Sequence, residues 1–377
     1  MKKSLLIAIL LMGTIFIIHD TIIAQVQVAN GKIGIEVSAL GRVRIYSPGV
    51  FDPSDATKNR QIDRFSILVS GSVGHVFDYY NDLLILTGPT LVTAPQKSDI
   101  EIDFTGDNTY NTPPLPPNVG EELKIYTWTN ANYLLIKVTI TNKETSVLAA
   151  HIGAEILPWN GNETNVYDNT TGIFSTNTAT YPFIGFKELS QTVQSVKSID
   201  WVSSYYNSDT DLYNWFLSGS IQSTYTTTSA DGTVMFYSGP VVSLNPQATK
   251  VVWTAVSLGT TSADMKTNMD AAVVKYNTLF SSVKPIEGLP TGFALTQNYP
   301  NPFNPTTKIN FSLINNEFVN LSVYDVLGQK VAELVNSNMN AGNYKVDFDA
   351  SKLSTGVYIY RLTTPTQSIS KKMSLLK

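Results

Sequence analysis

Cysteine is absent from the 377 residues of this chain, and only three histidines occur. Without cysteine the protein cannot form disulfides, zinc–thiolate sites, iron–sulfur clusters or a cysteine nucleophile. Its domains must therefore be stable through core burial alone. Since His19 lies among the first 24 residues, which have the pattern of a removable targeting segment, His75 and His151 are left for any catalytic triad. His75 follows Ser72 without the strand-to-helix context of a nucleophile elbow, and His151 lies in a strand pattern.

Charged residues are also scarce, at 15% of the chain, and the net charge is −4. No stretch resembles a basic stripe, so the composition disfavours nucleic-acid binding. Hydrophobic residues make up 43%, which supplies a real core and argues against global disorder. We expect a folded chain with a polar but weakly charged surface, as is common in extracellular β-proteins.

The first 24 residues have the pattern of a secretory signal peptide. Lys2 and Lys3 form a positive n-region, residues 5–18 are almost purely apolar, and Ala24 precedes a plausible cleavage site. An uncleaved anchor is the alternative, but the apolar run is shorter than the ~20 residues that a spanning helix needs. No later segment is apolar enough to cross a membrane. We therefore expect an exported mature chain.

Alternating apolar and polar residues predict an all-β fold. The clearest strand covers residues 133–141, where Leu134, Ile136, Val138 and Ile140 share one face. Asn-Gly and Asp-Gly pairs between other alternating segments predict hairpins.

One helix is predicted over residues 263–280, with Ser262 as its N-cap and an apolar stripe that packs on the sheet. A linker rich in proline and glycine follows at 284–292. The predicted organisation is a signal peptide (1–24), a large β-sandwich domain with one C-terminal helix (25–283), the linker, and a small Ig-like β-sandwich domain (293–377).

One loop of the large domain combines aromatic, amide and acidic side chains. Sugar-binding sites use aromatic faces together with such polar groups. The same aromatics could instead fill a sandwich core, so a carbohydrate-binding module is an alternative function. The candidate ligand-binding residues are Trp159, Asn162, Glu163, Tyr167 and Asp168.

A second loop places oxygen ligands at alternate positions, as calcium loops do. The candidates are Asn207, Asp209 and Asp211. This loop lacks a glycine at its sixth position, where Leu212 stands, and a glutamate at its twelfth, where Ser218 stands. A solvated turn is the alternative reading of this loop, and no other cofactor is predicted.

A glycan-active hydrolase is a second alternative function, since paired carboxylates could hydrolyse a glycosidic bond. The acids nearest aromatic residues are Glu155, Glu163, Asp168 and Asp200. No spacing singles out a pair among them. The sequence therefore assigns no catalytic residue, and a non-enzymatic protein is the leading expectation.

The C-terminal region carries several separated motifs. It opens with Asn-Tyr-Pro-Asn-Pro-Phe-Asn-Pro at residues 298–305, continues with Val-Tyr-Asp-Val-Leu-Gly at 323–328, and has Gly-Val-Tyr-Ile-Tyr-Arg at 356–361. Paired lysines, Lys371 and Lys372, precede the final Lys377. In this order the motifs closely resemble the type A C-terminal sorting domain of the type IX secretion system. An ordinary extracellular Ig-like domain, such as the flagellar-hook-cap type, is the alternative.

The resemblance implies an export route. Such proteins cross the inner membrane by a signal peptide, fold in the periplasm and are exported through the outer membrane. The expected partners are the type IX translocon and a sorting peptidase, and then surface lipopolysaccharide or an extracellular glycan. The family's pattern places the sorting signal at Gly356, Tyr358, Lys371, Lys372 and Lys377 of this chain. The expected location is the outer-membrane surface or the extracellular space.

Overall fold

A computed structural model of the chain describes most of its residues. The described residues are 7–10, 14–17, 25–38, 41–55, 57–72, 74–78, 83–108, 116–159, 164–177, 183–201, 209–227, 229, 231–280, 283–286, 292–339 and 341–377.

The described part of the chain consists of short antiparallel strands and two helices, which confirms the predicted all-β fold. The helices are α1 (Asp209–Leu217) and α2 (Ser262–Leu279). The strands are β1 (Ile7–Leu10), β2 (Thr14–Ile17), β3 (Val26–Ala29), β4 (Gly34–Val37), β5 (Val43–Tyr46), β6 (Arg60–Ser72), β7 (His75–Asp78), β8 (Leu84–Leu91), β9 (Ile100–Asp107), β10 (Val119–Thr127), β11 (Tyr133–Asn142), β12 (Leu148–Pro158), β13 (Thr164–Asp168), β14 (Ile173–Asn177), β15 (Phe183–Glu188), β16 (Ser195–Asp200), β17 (Thr224–Thr226), β18 (Thr233–Ser238), β19 (Val242–Leu244), β20 (Thr249–Gly259), β21 (Val283–Ile286), β22 (Ala294–Leu295), β23 (Thr306–Leu313), β24 (Glu317–Tyr324), β25 (Lys330–Met339), β26 (Gly342–Asp349), β27 (Gly356–Thr363) and β28 (Ser368–Leu375).

The chain divides into two compact units, with a boundary inside α2. The first unit contains Met1–Glu188 and Val193–Ala272, and the second contains Leu189–Thr192 and Val273–Lys377. The predicted linker at 284–292 is strand β21 over its first three residues, and residues 287–291 lie outside the described residues. The domain limits drawn from the sequence stay predictions.

The first unit is built from two large sheets. The first sheet has the order β1-β2-β3-β4-β5-β6-β12-β18-β16, with β7 beside β6 and β19 beside β12. The second sheet has the order β17-β13-β14-β15-β20-β11-β10-β9-β8. Since β1 and β2 lie within the predicted signal peptide, cleavage after residue 24 would leave β3 as an edge strand of the first sheet.

Apolar side chains from both sheets meet in one core. Phe65 of β6 stacks on Phe186 of β15 with ring centroids 5.9 Å apart, and Phe174 of β14 stacks on Tyr237 of β18 at 4.7 Å. In β11 the predicted apolar face is confirmed, because Leu134, Ile136, Val138 and Ile140 are all fully buried in this core. The period of two along each strand thus directs one set of side chains inward.

Helix α2 begins where the sequence predicts a helix, but its cap is a different residue. The Thr261 hydroxyl, not that of Ser262, accepts a hydrogen bond from the Asp264 backbone N–H at 3.1 Å. Gly259 precedes the cap, and a Cβ there would lie 2.2 Å from the Met265 nitrogen. Only glycine allows the chain to turn this tightly from β20 into the helix.

Helix α1 is not expected from the sequence. Its nine residues are fewer than an isolated helix needs to be stable in water. Tertiary contacts supply the stability, because Leu212 and Phe216, one helical turn apart, are buried against Leu157 and Phe236 on the first sheet. The aromatic residues around α1 therefore form a small second core on the sheet face that points away from the second sheet.

The second unit contains two four-stranded sheets, β21-β26-β23-β22 and β25-β24-β27-β28. Their apolar faces share one core, in which Ile309, Phe311 and Leu313 of β23 lie on the same side. Two packed antiparallel sheets agree with the predicted β-rich domain; the finer Ig-like assignment stays a prediction. Strand β28 completes the second of these sheets, and its Met373 and Leu375 are buried.

Neither helix in the described part of the chain combines the length and the hydropathy needed to span a membrane.

The cap of α2 gives a direct test of this local structure. We expect Thr261→Ala to lower the free energy of unfolding by about 1 kcal/mol, because it leaves an N-terminal backbone N–H without its acceptor. Ser262→Ala is the matched control and should change stability by less than about 0.5 kcal/mol. Chemical denaturation followed by circular dichroism measures both, and a larger loss for Ser262→Ala would contradict the capping assignment.

Candidate functional site

The outer face of the first sheet, which points away from the second sheet, carries an unusual group of charged and aromatic side chains. Pairing across neighbouring strands sets Glu36 opposite Arg44, Tyr46 opposite Arg60, and Ser66 opposite Glu155. Residues directly opposite in an antiparallel pair point to the same face. This polar cluster comprises Glu36, Arg42, Arg44, Tyr46, Arg60, Asp63, Arg64, Ser66, Glu155, Trp159 and Trp201.

A buried ion pair forms the floor of the polar cluster. The Arg64 guanidinium contacts Oε1 of Glu155, and the two side chains are only 2% and 0% exposed. Desolvating two charges in this way costs several kcal/mol per ion, which only good geometry and further hydrogen bonds offset. A buried ion pair is therefore weak evidence for a stabilising role.

A bulge in β6 brings a third acid into the cluster. Ile62 lies opposite Pro158 and Arg64 lies opposite Leu157, so Asp63 is an extra residue in the ladder. Its carboxylate accepts a hydrogen bond from Arg60 at 2.9 Å and lies 3.4 Å from Nε of Arg44. The bulge thus places one carboxylate between two guanidinium groups.

Glu36 is held ionised by its neighbours. Burial alone would raise its pKa, but hydrogen bonds from Gln27 and Tyr46 and the charge of Arg44 outweigh burial and lower the pKa below its ordinary value of 4.5. The same environment, chiefly burial and the nearby Glu36 charge, raises the pKa of Tyr46 to about 12. Tyr46 therefore stays a hydrogen-bond donor at neutral pH.

Two tryptophans lie where strands of the first sheet end, directly after β12 and β16. These strands run in the same direction because each pairs antiparallel with β18, so both ends lie on one side. The Arg60 guanidinium lies 4.5 Å from the ring centroid of Trp159, and that of Arg64 lies 5.8 Å from Trp201. Each ring thus makes a cation–π contact with an arginine of β6.

The structure separates the predicted ligand-binding residues. Trp159 belongs to the polar cluster, whereas Tyr167 is 8% exposed and packs on Phe174 inside the core, with ring centroids 4.5 Å apart. Asp168 accepts hydrogen bonds from the Thr170 backbone and from Lys266. Asn162 and Glu163 lie outside the described residues. Tyr167 is therefore no surface platform, because its position in β13 faces inward; ligand binding by the others stays a prediction.

The predicted calcium residues lie at the start of α1. Asn207 falls outside the described residues, Asp209 is the first residue of the helix, and Asp211 is exposed in its first turn. Within the described ranges, no group of three or more His, Cys, Asp or Glu side chains could hold a metal ion. Calcium binding stays a prediction.

Other acids and histidines noted in the sequence have structural partners. Asp200 accepts a hydrogen bond from the Tyr225 hydroxyl at 2.9 Å, and Nδ1 of His151 lies 3.2 Å from the Gly239 carbonyl oxygen. Among the four acids considered for hydrolysis, Glu155 alone is seen in the polar cluster. The arginines near it were missed, although Arg64 and Ser66 alternate along β6 and so share a face; the bulge hides the same relation for Arg60.

The sorting-signal residues divide into buried and exposed sets. Gly356 opens β27 opposite Leu375, and Tyr358 is buried with its hydroxyl donating to the Ser354 carbonyl. Lys371 lies opposite the buried Tyr360, on the inward side of β28, where its stem is half-buried. Exposed lysines follow, namely Lys372 and Lys377. Only some of the predicted sorting-signal residues are therefore exposed, and their role in sorting stays a prediction.

The proline-rich opening of the second unit is anchored by one tyrosine. The Tyr360 hydroxyl accepts a hydrogen bond from the Asn298 backbone N–H at 2.9 Å and donates to the Thr296 carbonyl at 2.8 Å. The Asn298 side chain donates to the carbonyl oxygen of Pro300 and to the hydroxyl of Thr307. These motif residues therefore hold the segment in place rather than face solvent.

Comparison with known families identifies the C-terminal segment. Residues 297–375 match the family described as the secretion system C-terminal sorting domain. This confirms the resemblance to the type IX sorting domain for that segment. No curated protein matches the chain.

Solved structures show only distant likenesses. A polysaccharide lyase is 7% identical with a TM-score of 0.38, covering 89% of this chain and 45% of its own. A putative aldose 1-epimerase from Escherichia coli K12 is 7% identical with a TM-score of 0.36, covering 61% and 96%. PorZ, a surface component of the type-IX secretion system of Porphyromonas gingivalis, is 10% identical with a TM-score of 0.20, covering 95% and 59%. The chain spans less than half of the lyase, and at such scores none of these assigns a function.

The lowered pKa of Glu36 predicts a pH dependence. A carboxyl whose pKa is lower in the folded state stabilises the protein above its ordinary pKa of 4.5, and this stability is lost as the pH falls below that value. We expect Glu36→Gln to lower the free energy of unfolding at pH 7 by roughly 1–3 kcal/mol, as for lost hydrogen bonds to a charged group. The loss should shrink in acid, where Glu36 is protonated in the parent protein.

Urea denaturation between pH 3 and pH 7 measures this effect. Glu122→Gln is the control, since that side chain is 41% exposed and its replacement should change stability by less than about 0.5 kcal/mol. An equal loss for Glu36→Gln at every pH would contradict the assignment.

Proposed function

We propose that this chain is an exported, non-enzymatic protein of the cell surface or the extracellular space, delivered across the outer membrane by its C-terminal domain. The sorting-domain match over residues 297–375 carries the proposal. That domain implies export by the type IX secretion system and interaction with its machinery. The first 24 residues would direct the earlier crossing of the inner membrane, since they have the n-region and apolar run of a signal peptide.

The fate after export is also part of the proposal. Proteins with such a domain are expected to meet a sorting peptidase, which separates the domain from its cargo, and some are then joined to surface lipopolysaccharide. In this chain the cargo is the two-sheet unit that ends inside α2. A folded cargo without disulfides is compatible with this route, because its stability does not depend on oxidation.

A non-enzymatic cargo is supported by the charges on the outer face of the first sheet. Glycoside hydrolysis needs a carboxylic acid with a raised pKa to protonate the leaving group. Here Glu36, Asp63 and Glu155 each contact an arginine. For Glu36, hydrogen bonds and the charge of Arg44 outweigh burial and lower the pKa of the carboxyl, which suits a general acid poorly.

Exposed lysines near the end of β28 are the groups of the sorting signal best placed for recognition. Lys372 faces solvent, and the Lys377 ammonium donates to the Ser351 carbonyl while remaining exposed. Deleting residues 371–377 would remove them, but it would also remove the buried Met373 and Leu375. A loss of export in this deletion would not show whether recognition or folding had failed. Charge reversal separates the two and is the more specific experiment.

We expect the double variant Lys372→Glu/Lys377→Glu to accumulate in the periplasm, because its fold is kept while the charge near the end of β28 is reversed. Immunoblots of periplasmic, outer-membrane and culture-medium fractions measure the distribution. Lys308→Glu/Lys352→Glu is the matched control, since it changes two exposed lysines of the same domain by the same charge. Normal export of the first variant, with unfolding unchanged, would contradict the role of these lysines.

A further inference from the structure

Among the carboxylate, hydroxyl and indole groups of the polar cluster, three buried atoms have no hydrogen-bond partner in the described structure. They are Oε2 of Glu155, Oγ of Ser66 and Nε1 of Trp159. Ser66 and Glu155 lie directly opposite each other on β6 and β12, and both side chains are fully buried. Trp159 follows the same strand as Glu155 and packs on Arg60. The three groups therefore belong to one side of one sheet.

Leaving such atoms unpaired is unfavourable. A buried polar group without a partner typically costs about 1–3 kcal/mol, and native proteins keep few of them. Replacing the buried Arg64–Glu155 pair by apolar residues would be neutral or stabilising in many proteins. The persistence of an ion pair together with three unpaired atoms at one place points to a ligand that completes their hydrogen bonding.

We infer that the polar cluster binds a neutral hexose unit of a glycan. The free oxygen of Glu155, whose other oxygen contacts Arg64, is a hydrogen-bond acceptor, the Trp159 indole N–H can only donate, and the Ser66 hydroxyl can do both. A sugar hydroxyl is the common group that both donates and accepts, so the hydroxyls of a sugar match the hydrogen-bonding needs of all three groups. The rings of Trp159 and Trp201 add apolar faces for the C–H edges of the sugar.

The charges of the cluster favour a neutral sugar over an acidic one. Its four arginines face three acids, and each of these acids contacts at least one of the arginines. The unpaired acceptor at the floor is a carboxylate oxygen, which repels an anionic ligand. For a uronic or sulfated sugar, electrostatic repulsion by Glu155 would therefore offset the attraction of the surrounding guanidinium groups.

A ligand would reach the polar cluster from its partly exposed side chains, which form the rim. The side chains of Arg42, Arg44 and Asp63 keep 14–19% exposure, whereas those of Arg64 and Glu155 at the floor have 0–2%. Trp159, directly after the end of β12, is partly exposed. Since Ser66 and Glu155 are fully buried in the free protein, binding requires a rearrangement of side chains such as that of Trp159, and changes of that size are common on binding.

The test uses the full mature chain, residues 25–377, and isothermal titration calorimetry. The probes are neutral oligosaccharides of glucose, galactose and mannose, with an oligomer of galacturonic acid as the acidic counterpart. We expect at least one neutral probe to bind. Ser66→Ala should weaken it roughly five-fold, the effect of one hydrogen bond between neutral groups, without lowering the unfolding midpoint. Trp159→Phe, which keeps an aromatic ring but removes the N–H, should also weaken binding.

Ser70→Ala is the matched control for Ser66→Ala. Ser70 lies on the same strand and face, is buried and equally lacks a partner, but it is opposite His151 and away from Glu155. Its replacement should leave the affinity unchanged. Failure of every neutral probe at millimolar concentration, binding of the acidic oligomer alone, or equal losses for the two serine variants would overturn the inference. The inference goes beyond the proposed export function, and its failure would leave the export assay unaffected.

Discussion

Apolar contact between the two large sheets is the constraint on which the first unit depends. No covalent cross-link is available, so every strand must direct one row of side chains toward the opposite sheet, as Phe65 does against Phe186 and Phe174 against Tyr237. The alternate row then has to point outward. Charged residues can accumulate on the outer face of the first sheet because the inner face already supplies the burial that holds the unit together.

The outer face shows how such charges are accommodated. Arg44 contacts both Glu36 and Asp63, and Arg60 contacts both Asp63 and Trp159. Shared partners thus give each of these buried or half-buried carboxylates a guanidinium neighbour. Oε2 of Glu155 and Oγ of Ser66, which belong to residues directly opposite each other, have no hydrogen-bond partner. This unpaired acceptor and the unpaired hydroxyl beside it are the reason for assigning the floor of the cluster to ligand contact.

Local patterns in the sequence predicted the strands and helix α2 well, but they predicted the residues of the polar cluster poorly. The period of two in residues 133–141 and the helical stripe before residue 280 depend on nearest neighbours, and both are found in the structure. Thr261 replaced Ser262 as the cap because boundaries shift by a residue when several hydroxyls are adjacent. Helix α1 needs the sheet beneath it, and no local signal could show that support.

The polar cluster depends on register between strands far apart in the chain. Ser66 and Glu155 are 89 positions apart in sequence and meet only through the pairing of β6 with β12. Tyr167 and Trp159 are near neighbours in sequence, yet the first faces the core and the second the outer face. The sorting domain was identifiable for the opposite reason, since its motifs are short, ordered and contained in about 80 residues.

The position of β28 at the side of its sheet has a consequence for the strand beside it. Met373 and Leu375 are buried in the core of the second unit, and β28 pairs with β27 along its whole length. Loss of β28 would leave Tyr358 and Tyr360 without their cross-strand partners. It would also leave β27 with a row of unpaired backbone groups, the kind of exposed strand edge on which chains aggregate.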